Sequence, residues 1–403
     1  MIEEAWRAFL YAQWSLQDST RGSRCLIHDA LIHDSTALRT VLPLASRLQA
    51  CRISRHAAWT IVLLVAVVSP GRSLAQPTWQ IRTPSTYGLS GDRLEAVFDR
   101  ARDLAPLNSF LLARGDSLVA AQTYRGMTLD QPTNIKSASK SVLSALAGIA
   151  FADGALTKLQ QPIGRFFPET LPDTSRKAAI TLYHLLTMQA GLESTSFGNY
   201  GRWVTSDDWV THALNRPLVH TPGDGMIYST GTTHILAALL TKAVDEPLRD
   251  YAQHRLFNPL NVQMGSWQQD PDGIYFGGNN LALSPRGLLR FGQLYLNGGR
   301  WNGQQVLPRW WVTASWQPYV DKSYRGFKYG LLWWVEEFGD VRTYFAWGYG
   351  GQFVFVAPEL DLVVAMTSSL SNRPSNIGDH SGQLFRFWEE TVLPAVQGTD
   401  EMP

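Results

Sequence analysis

Strand-prone runs occur in this chain in two sets far apart in sequence, and that separation limits the folds open to it. Phe110–Ala113 and Leu118–Thr123 are β-prone and are split by Arg114-Gly115-Asp116, a hairpin signal. The second set comprises Tyr329–Val335, Arg342–Phe345, Phe353–Val356 and Leu362–Thr367. Gly339-Asp340, the glycines at 348, 350 and 351, and Pro358-Glu359 separate these runs. Turns this short imply antiparallel pairing, because a parallel crossover needs about a dozen residues or more. Between the sets, about 155–324 reads as helix and loop. Helices are predicted there over 181–189, ended by Gly191, over 231–244, and over 248–256 with Pro247 at its start. Outside that stretch, Ser90 can cap a helix carrying Leu94, Val97, Phe98, Ala101 and Leu104 on one face. Ser141–Asp153 reads as a helix stopped by Gly154, and Phe385–Val396 as a closing helix interrupted at Pro394. The simplest architecture is α+β: an antiparallel sheet from both ends, flanked by helices, with a mainly helical insertion. It predicts a single domain over 76–403, its sheet part about 88–154 and 325–403 and its helical part about 155–324.

A different kind of segment precedes that unit. Residues 57–68 (AAWTIVLLVAVV) are apolar, Arg52 and Arg55 stand before them, and Ser73-Leu74-Ala75 follows. A basic flank, a short apolar stretch and a small-x-small site are the parts of a secretory signal peptide, expected over 52–75. Twelve residues rise about 18 Å as a helix, against a hydrocarbon core of roughly 30 Å. After cleavage no stable membrane span is expected, and the protein is expected to be exported, periplasmic or secreted. Residues 1–51 show no sustained periodicity and read as a poorly ordered leader or a start site placed too early. A cut after Ala75 would take away Cys25, Cys51, eight of the 35 basic and five of the 34 acidic side chains. The remainder would carry a charge of −2 in place of +1. Neither value gives an electrostatic case for nucleic acid. Two cysteines make neither a disulfide framework nor a four-cysteine zinc site.

Three places could carry chemistry. Of the seven lysines, Lys140 alone has a serine three residues before it, in Ser137-Ala138-Ser139-Lys140. Three residues apart on a helix is one face, so Lys140 Nζ can reach Ser137 Oγ. A helix N-terminus adds unpaired N–H groups and a positive dipole end, which suits a nucleophile and half of an oxyanion hole. Val142, Leu143 and Leu146 next to the lysine predict partial burial and a lowered pKa. The second place is Tyr228-Ser229-Thr230, between the tight loop Pro222–Gly225 and a helix, where a tyrosine can face a cleft. An ordinary half-buried tyrosine is the alternative. The third is Gly348-Tyr349-Gly350-Gly351-Gln352, either a plain turn or a place where backbone meets substrate closely.

Competing constellations are missing from the sequence. There is no G-x-S-x-G elbow, no H-E-x-x-H, no Walker lysine, and Phe353 breaks G-x-G-x-x-G. The histidines after residue 76 (184, 212, 220, 234, 254 and 380) lack metal spacing, and His184, in a helix with Leu185 and Leu186, reads as a packed structural residue. Trp310-Trp311, Trp333-Trp334 and Trp347 read as core or cleft lining.

Taken in order, the three places resemble the serine β-lactamase and penicillin-binding-protein superfamily, in its class C-like branch of esterases, DD-peptidases and amide hydrolases. Ile180–Leu192, Pro222–Thr230, Pro259-Leu260, Leu283–Asn297 and Gly351–Ser368 carry the likeness further, over roughly 90–395. The resemblance implies a β-lactamase/DD-peptidase-like fold and an acyl-enzyme mechanism that needs no metal or organic cofactor. By that likeness Ser137 is the acylated nucleophile, Lys140 its activator and Tyr228 the general base. The backbone N–H groups of Ser137 and about Tyr349 are the implied oxyanion hole. Thr230, Trp347, Gly348 and Gly350 are the implied substrate-lining positions.

Two departures bear on the substrate. Thr230 stands where the Y-x-N element has Asn, and Ala346-Trp347-Gly348 stands where β-lactamases have K-T-G. The missing lysine would contact a substrate carboxylate through a charge-assisted bond worth about 1.5–3 kcal/mol. The pattern therefore looks more like the 6-aminohexanoate-oligomer hydrolase and carboxylesterase relatives. An exported serine hydrolase of small-molecule esters or amides is expected. The alternatives are a β-lactamase or DD-peptidase, and a non-catalytic cell-wall or partner-binding member. Free tyrosine and lysine titrate near pH 10, so work at neutral pH requires one of them to fall by about three pH units.

Overall fold

In the computed structural model, which describes residues 81–172, 174–321, 323–371 and 379–398, the chain enters through helix α1 (Gly91–Asp103). The proposed leader 1–51 and signal segment 52–75 lie outside the described residues. Ser90 caps α1, its Oγ accepting the Arg93 N–H, and Leu94, Val97 and Ala101 form the buried stripe. Strands β1 (Leu107–Arg114) and β2 (Ser117–Thr123) form the expected antiparallel hairpin. Helix α2 (Ser139–Ala152) is preceded by a 3-10 turn, Lys136–Ala138. The helical middle contains α3 (Thr230–Val244) and α4 (Pro285–Leu296), with shorter helices at Leu182–Leu186, Trp209–Asn215 and Leu248–Ala252.

The chain then returns to strand with β3 (Lys328–Tyr329), β4 (Trp334–Phe338), β5 (Val341–Gly348), β6 (Gln352–Ala357) and β7 (Leu362–Ser368), followed by helix α5 (His380–Phe387). The seven strands make one sheet in the order β2-β1-β7-β6-β5-β4-β3, every pair antiparallel. β1 pairs with β7, Leu107 opposite Ser368 and Arg114 opposite Leu362, so the sheet joins segments from both ends of the described chain. Every residue of β6 and β7 is buried, because helices cover both faces. On one face α4 packs against β6 and β7. On the other, Phe355 stacks on Trp388 at 4.8 Å between ring centres, and Phe110 meets Phe387 edge-on at 5.6 Å. Among the described residues no helix is long and apolar enough to cross a membrane.

Three expected boundaries move. The run 329–335 is two strands, because Leu332 adopts a left-handed backbone (φ 60°) and breaks the ladder between β3 and β4. The closing helix begins at His380, well before Phe385, because Asp379 caps it, accepting the Gly382 N–H at 3.0 Å. Its irregular stretch is a π-type turn at Trp388–Val392, ahead of Pro394. Proline cannot donate to the carbonyl four residues back and its ring crowds that carbonyl, so the turn before it widens. The helix expected over 181–189 is shorter, because Met188 takes a left-handed φ of 59°.

Candidate active site

Ser137 sits on the 3-10 turn just before α2, and Lys140 lies one turn on, at the start of the helix. The spacing brings the two side chains together, with Lys140 Nζ 3.2 Å from Ser137 Oγ. Nζ also donates to the carbonyl of Gly278 at 2.7 Å and to Thr230 Oγ1 at 3.3 Å. Lys140 is 2% exposed. Burial removes water from its ammonium and lowers the pKa from 10.5 to about 7. That is the fall which neutral-pH chemistry requires of one partner.

Tyr228 belongs to the segment that leads into α3, and its ring lies 5.0 Å from Lys140 Nζ. Trp334 of β4 stacks against it at 5.9 Å, and Trp347 of β5 meets Trp334 at 5.5 Å. Three aromatic rings thus form one wall. The backbone of the Tyr228 segment is held by a serine–threonine triplet the sequence reading passed over. Ser194 Oγ donates to the Tyr228 carbonyl at 2.7 Å. Thr195 Oγ1 accepts the Gly231 N–H at 2.8 Å, and Ser196 Oγ accepts the Thr230 N–H at 2.9 Å. The first N–H groups of α3 are therefore capped from another loop, since Ser229 makes no side-chain cap. Runs of small hydroxyl residues are common, and nothing in the local sequence marks this one.

The third element closes the site from the sheet. Gly348 ends β5 against the Ser137 turn, where a Cβ would fall 2.1 Å from the Ile135 carbonyl oxygen and 3.1 Å from the Ala138 nitrogen. No larger residue fits that approach. Ala346 is buried opposite Val354 in the sheet, whereas Trp347 stacks on Phe353 at 6.1 Å.

A cleft of about 540 Å³ opens over these groups. Ser137, Tyr228, Thr230, Trp347 and Tyr349 line it, and Lys140 lies beneath, in contact with Ser137. Gly348 and Gly350 are not among its lining residues. Tyr349 is 67% exposed at its edge, as is Phe197 at 65%. Trp334, read as core or cleft lining, lines it too, as do Lys136, Ser196, Phe197, Tyr200 and Asn279, which were not singled out in the sequence. Lys136 adopts a left-handed φ of 50° beside Ser137, its Nζ donating to Asn280 Oδ1 at 3.0 Å. His184, read as structural, completes a capping box with Thr181 at the start of its short helix.

The arrangement offers a hydroxyl beside a buried amine, a tyrosine ring 5.0 Å from that amine, and the end of a strand against the Ser137 turn. A family model described as Beta-lactamase matches residues 105–384, which contain all of these groups. The 6-aminohexanoate-dimer hydrolase of Paenarthrobacter ureafaciens is 24% identical over 324 residues, 72% of this chain and 80% of that protein. Among solved structures, a hydrolase with promiscuous acyltransferase activity aligns at a TM-score of 0.61 and 17% identity, over 78% of this chain and 99% of its own. The octameric penicillin-binding protein homologue from Pyrococcus abyssi aligns at 0.59 and 18%, over 78% and 79%. These structural likenesses concern the fold, which is β-lactamase/DD-peptidase-like.

Proposed function

Since the chain belongs to the Beta-lactamase family and is a serine hydrolase, we propose that it cleaves an ester or amide bond through an acyl-enzyme on Ser137. The observation that carries this reading is the buried Lys140 amine, 3.2 Å from Ser137 Oγ and with a pKa near 7. A neutral amine at that distance can take the serine proton as Oγ attacks the carbonyl carbon. Tyr228 then gives its proton to the leaving oxygen or nitrogen and later takes one from the attacking water, while Lys140 returns the serine proton to Ser137 Oγ as the acyl bond breaks. The N–H groups of Ser137 and Tyr349 hold the oxyanion, a contribution of roughly 3–4 kcal/mol per donor in comparable sites.

Thr230, bonded to Lys140 Nζ, stands in for the amide of the family's asparagine. Ala346 leaves the carboxylate-binding cation of K-T-G without an equivalent on that strand, and Tyr228, Trp334 and Trp347 present aromatic surface instead. Both features favour a substrate recognised by apolar contact over a β-lactam or peptidoglycan stem. The sequence supports export as well, through the apolar run 57–68 and the Ser73-Leu74-Ala75 site. N-terminal sequencing of the protein from a fractionated culture tests that part. For the chemistry, Ser137→Ala should abolish hydrolysis of p-nitrophenyl acetate with the melting temperature unchanged. Retained turnover would remove Ser137 as nucleophile.

A further inference from the structure

Outside the proposed catalytic set, the described residues of the helical half include a fully buried acid–base pair. The side chains of His234, one turn into α3, and Asp270 are both fully buried, with His234 Nε2 and Asp270 Oδ2 2.8 Å apart. Trp203, Trp209 and Phe276 enclose the imidazole, at 5.8, 5.5 and 5.8 Å between ring centres. Burying such a pair in apolar surroundings is costly unless each polar atom is matched. Here every atom is matched, and the partners all belong to one loop. Asp270 Oδ1 accepts the Ile274 N–H at 2.7 Å. His234 Nδ1 accepts the Gly277 N–H at 3.1 Å. An acceptor at Nδ1 places the imidazole proton on Nε2, so it is donated to Asp270. Thr233, the neighbour of His234, donates through Oγ1 to the Gly277 carbonyl at 3.0 Å.

The loop so held delivers one group to the site. The carbonyl of Gly278, next in the chain, is the nearest acceptor to Lys140 Nζ at 2.7 Å. Gly278 is pressed so closely that a Cβ would lie 2.5 Å from Lys140 Cγ, and its φ is +75°. Resting on the reading that Lys140 activates Ser137, we propose that His234 and Asp270 are positioning residues. They lock the loop 270–278 so that the Gly278 carbonyl fixes the place and protonation of the Lys140 amine. Asp270 sets the tautomer, His234 sets Gly277, and Gly278 sets Lys140. Neither residue touches the cleft, as neither lines it.

The titratable groups around this relay are few. Tyr228 faces Lys140, and Lys136 and Tyr200 line the same cleft. Asp272 is a further acid whose charge lies near Asp270 and His234, and Asp208 lies near Asp272 in turn. Removing an acceptor from the ammonium disfavours the charged form, so the acid limb of the rate profile should move to lower pH when the loop is released.

The experiment compares wild type with His234→Phe, His234→Asn and Asp270→Asn, using p-nitrophenyl acetate over a range of pH. A fluorophosphonate label monitors the serine, and thermal melting monitors the fold. His234→Phe removes the acceptor for Gly277 and should lower kcat by about tenfold to a hundredfold, with the acid limb displaced and KM little changed. His234→Asn keeps an acceptor near the Nδ1 position and should restore most of that loss. Should His234→Phe fail to fold, Asp270→Asn, which conserves volume, carries the same prediction for the acid limb. Folded, labelled variants with the wild-type kcat and acid limb would overturn the proposal. So would His234→Asn as slow as His234→Phe. If wild type itself takes no label at Ser137, the catalytic reading fails first, and the two failures are thereby told apart.

Discussion

Every residue of β6 and β7 is buried, and Phe353–Ala357 and Leu362–Met366 are apolar throughout. Around the N-terminal ends of α2 and α3 the buried residues are instead polar ones, Lys140, Ser196, Ser229, Thr230, Thr233 and His234 among them. Along those two apolar runs stability comes from area and close packing, and the buried side-chain hydrogen bonds of Gln352, Thr367 and Ser368 are confined to one end of the pair. At the helix ends each buried polar atom depends on a specific partner, since an unmatched one costs about 1–3 kcal/mol. The contrast shows a division of labour along the chain. One region supplies the free energy that the other uses to keep an amine dry, neutral and aimed at Ser137.

If that division holds, mutations in the two regions should affect different observables. The largest effect belongs to Lys140→Met, which should lower kcat/KM for p-nitrophenyl acetate by about a thousandfold or more. Its melting temperature should stay close to that of wild type, because the variant removes a desolvated amine. Steady-state kinetics with calorimetry on the same sample checks both halves. Conversely, Phe355→Ala should cost about 3–5 kcal/mol in denaturant unfolding, with kcat of the folded fraction preserved. A large fall in kcat there would break the comparison.

The pH dependence sharpens it further. Lys140 has its pKa lowered from 10.5 to about 7 in the folded protein. Between those values the unfolded chain binds the extra proton, so stability rises with pH in that window and is flat with respect to this group below it. Relative to Lys140→Met, wild type should gain about 2 kcal/mol from about pH 7 to about pH 9. Urea titrations of both proteins measure the difference. The same titration should give kcat/KM an acid limb near pH 7. The smallest effect is expected from Thr230→Val, which removes the hydroxyl between Lys140 and Ser196. About a tenfold loss of kcat/KM, worth roughly 1.4 kcal/mol, is anticipated from one neutral hydrogen bond.

How much of this was legible in the sequence follows the same division. The hairpin at 107–123, the Ser90 cap and the all-antiparallel sheet came from hydrophobic pattern and turn residues, which are local signals. Ser137 and Lys140 were legible because their geometry is set by three residues of one helical turn. The Ser194–Ser196 triplet and the His234–Asp270 pair were not. Their partners lie 34 to 43 residues away and become neighbours through packing alone. Leu332 misled for a related reason. An apolar run reads as strand, while its left-handed turn answers to the tertiary position of the chain.

The central claim is that Ser137, and no neighbouring hydroxyl, becomes acylated. Ser139 and Ser141 lie within four residues of it, on the same helix start. Rapid quenching with a slowly hydrolysed p-nitrophenyl ester, followed by peptide mapping and fragmentation by mass spectrometry, separates the three. The account predicts one acyl group per chain, carried on Ser137 and lost in Ser137→Ala. An adduct on Ser139 or Ser141, or turnover with no adduct on this segment, would contradict it.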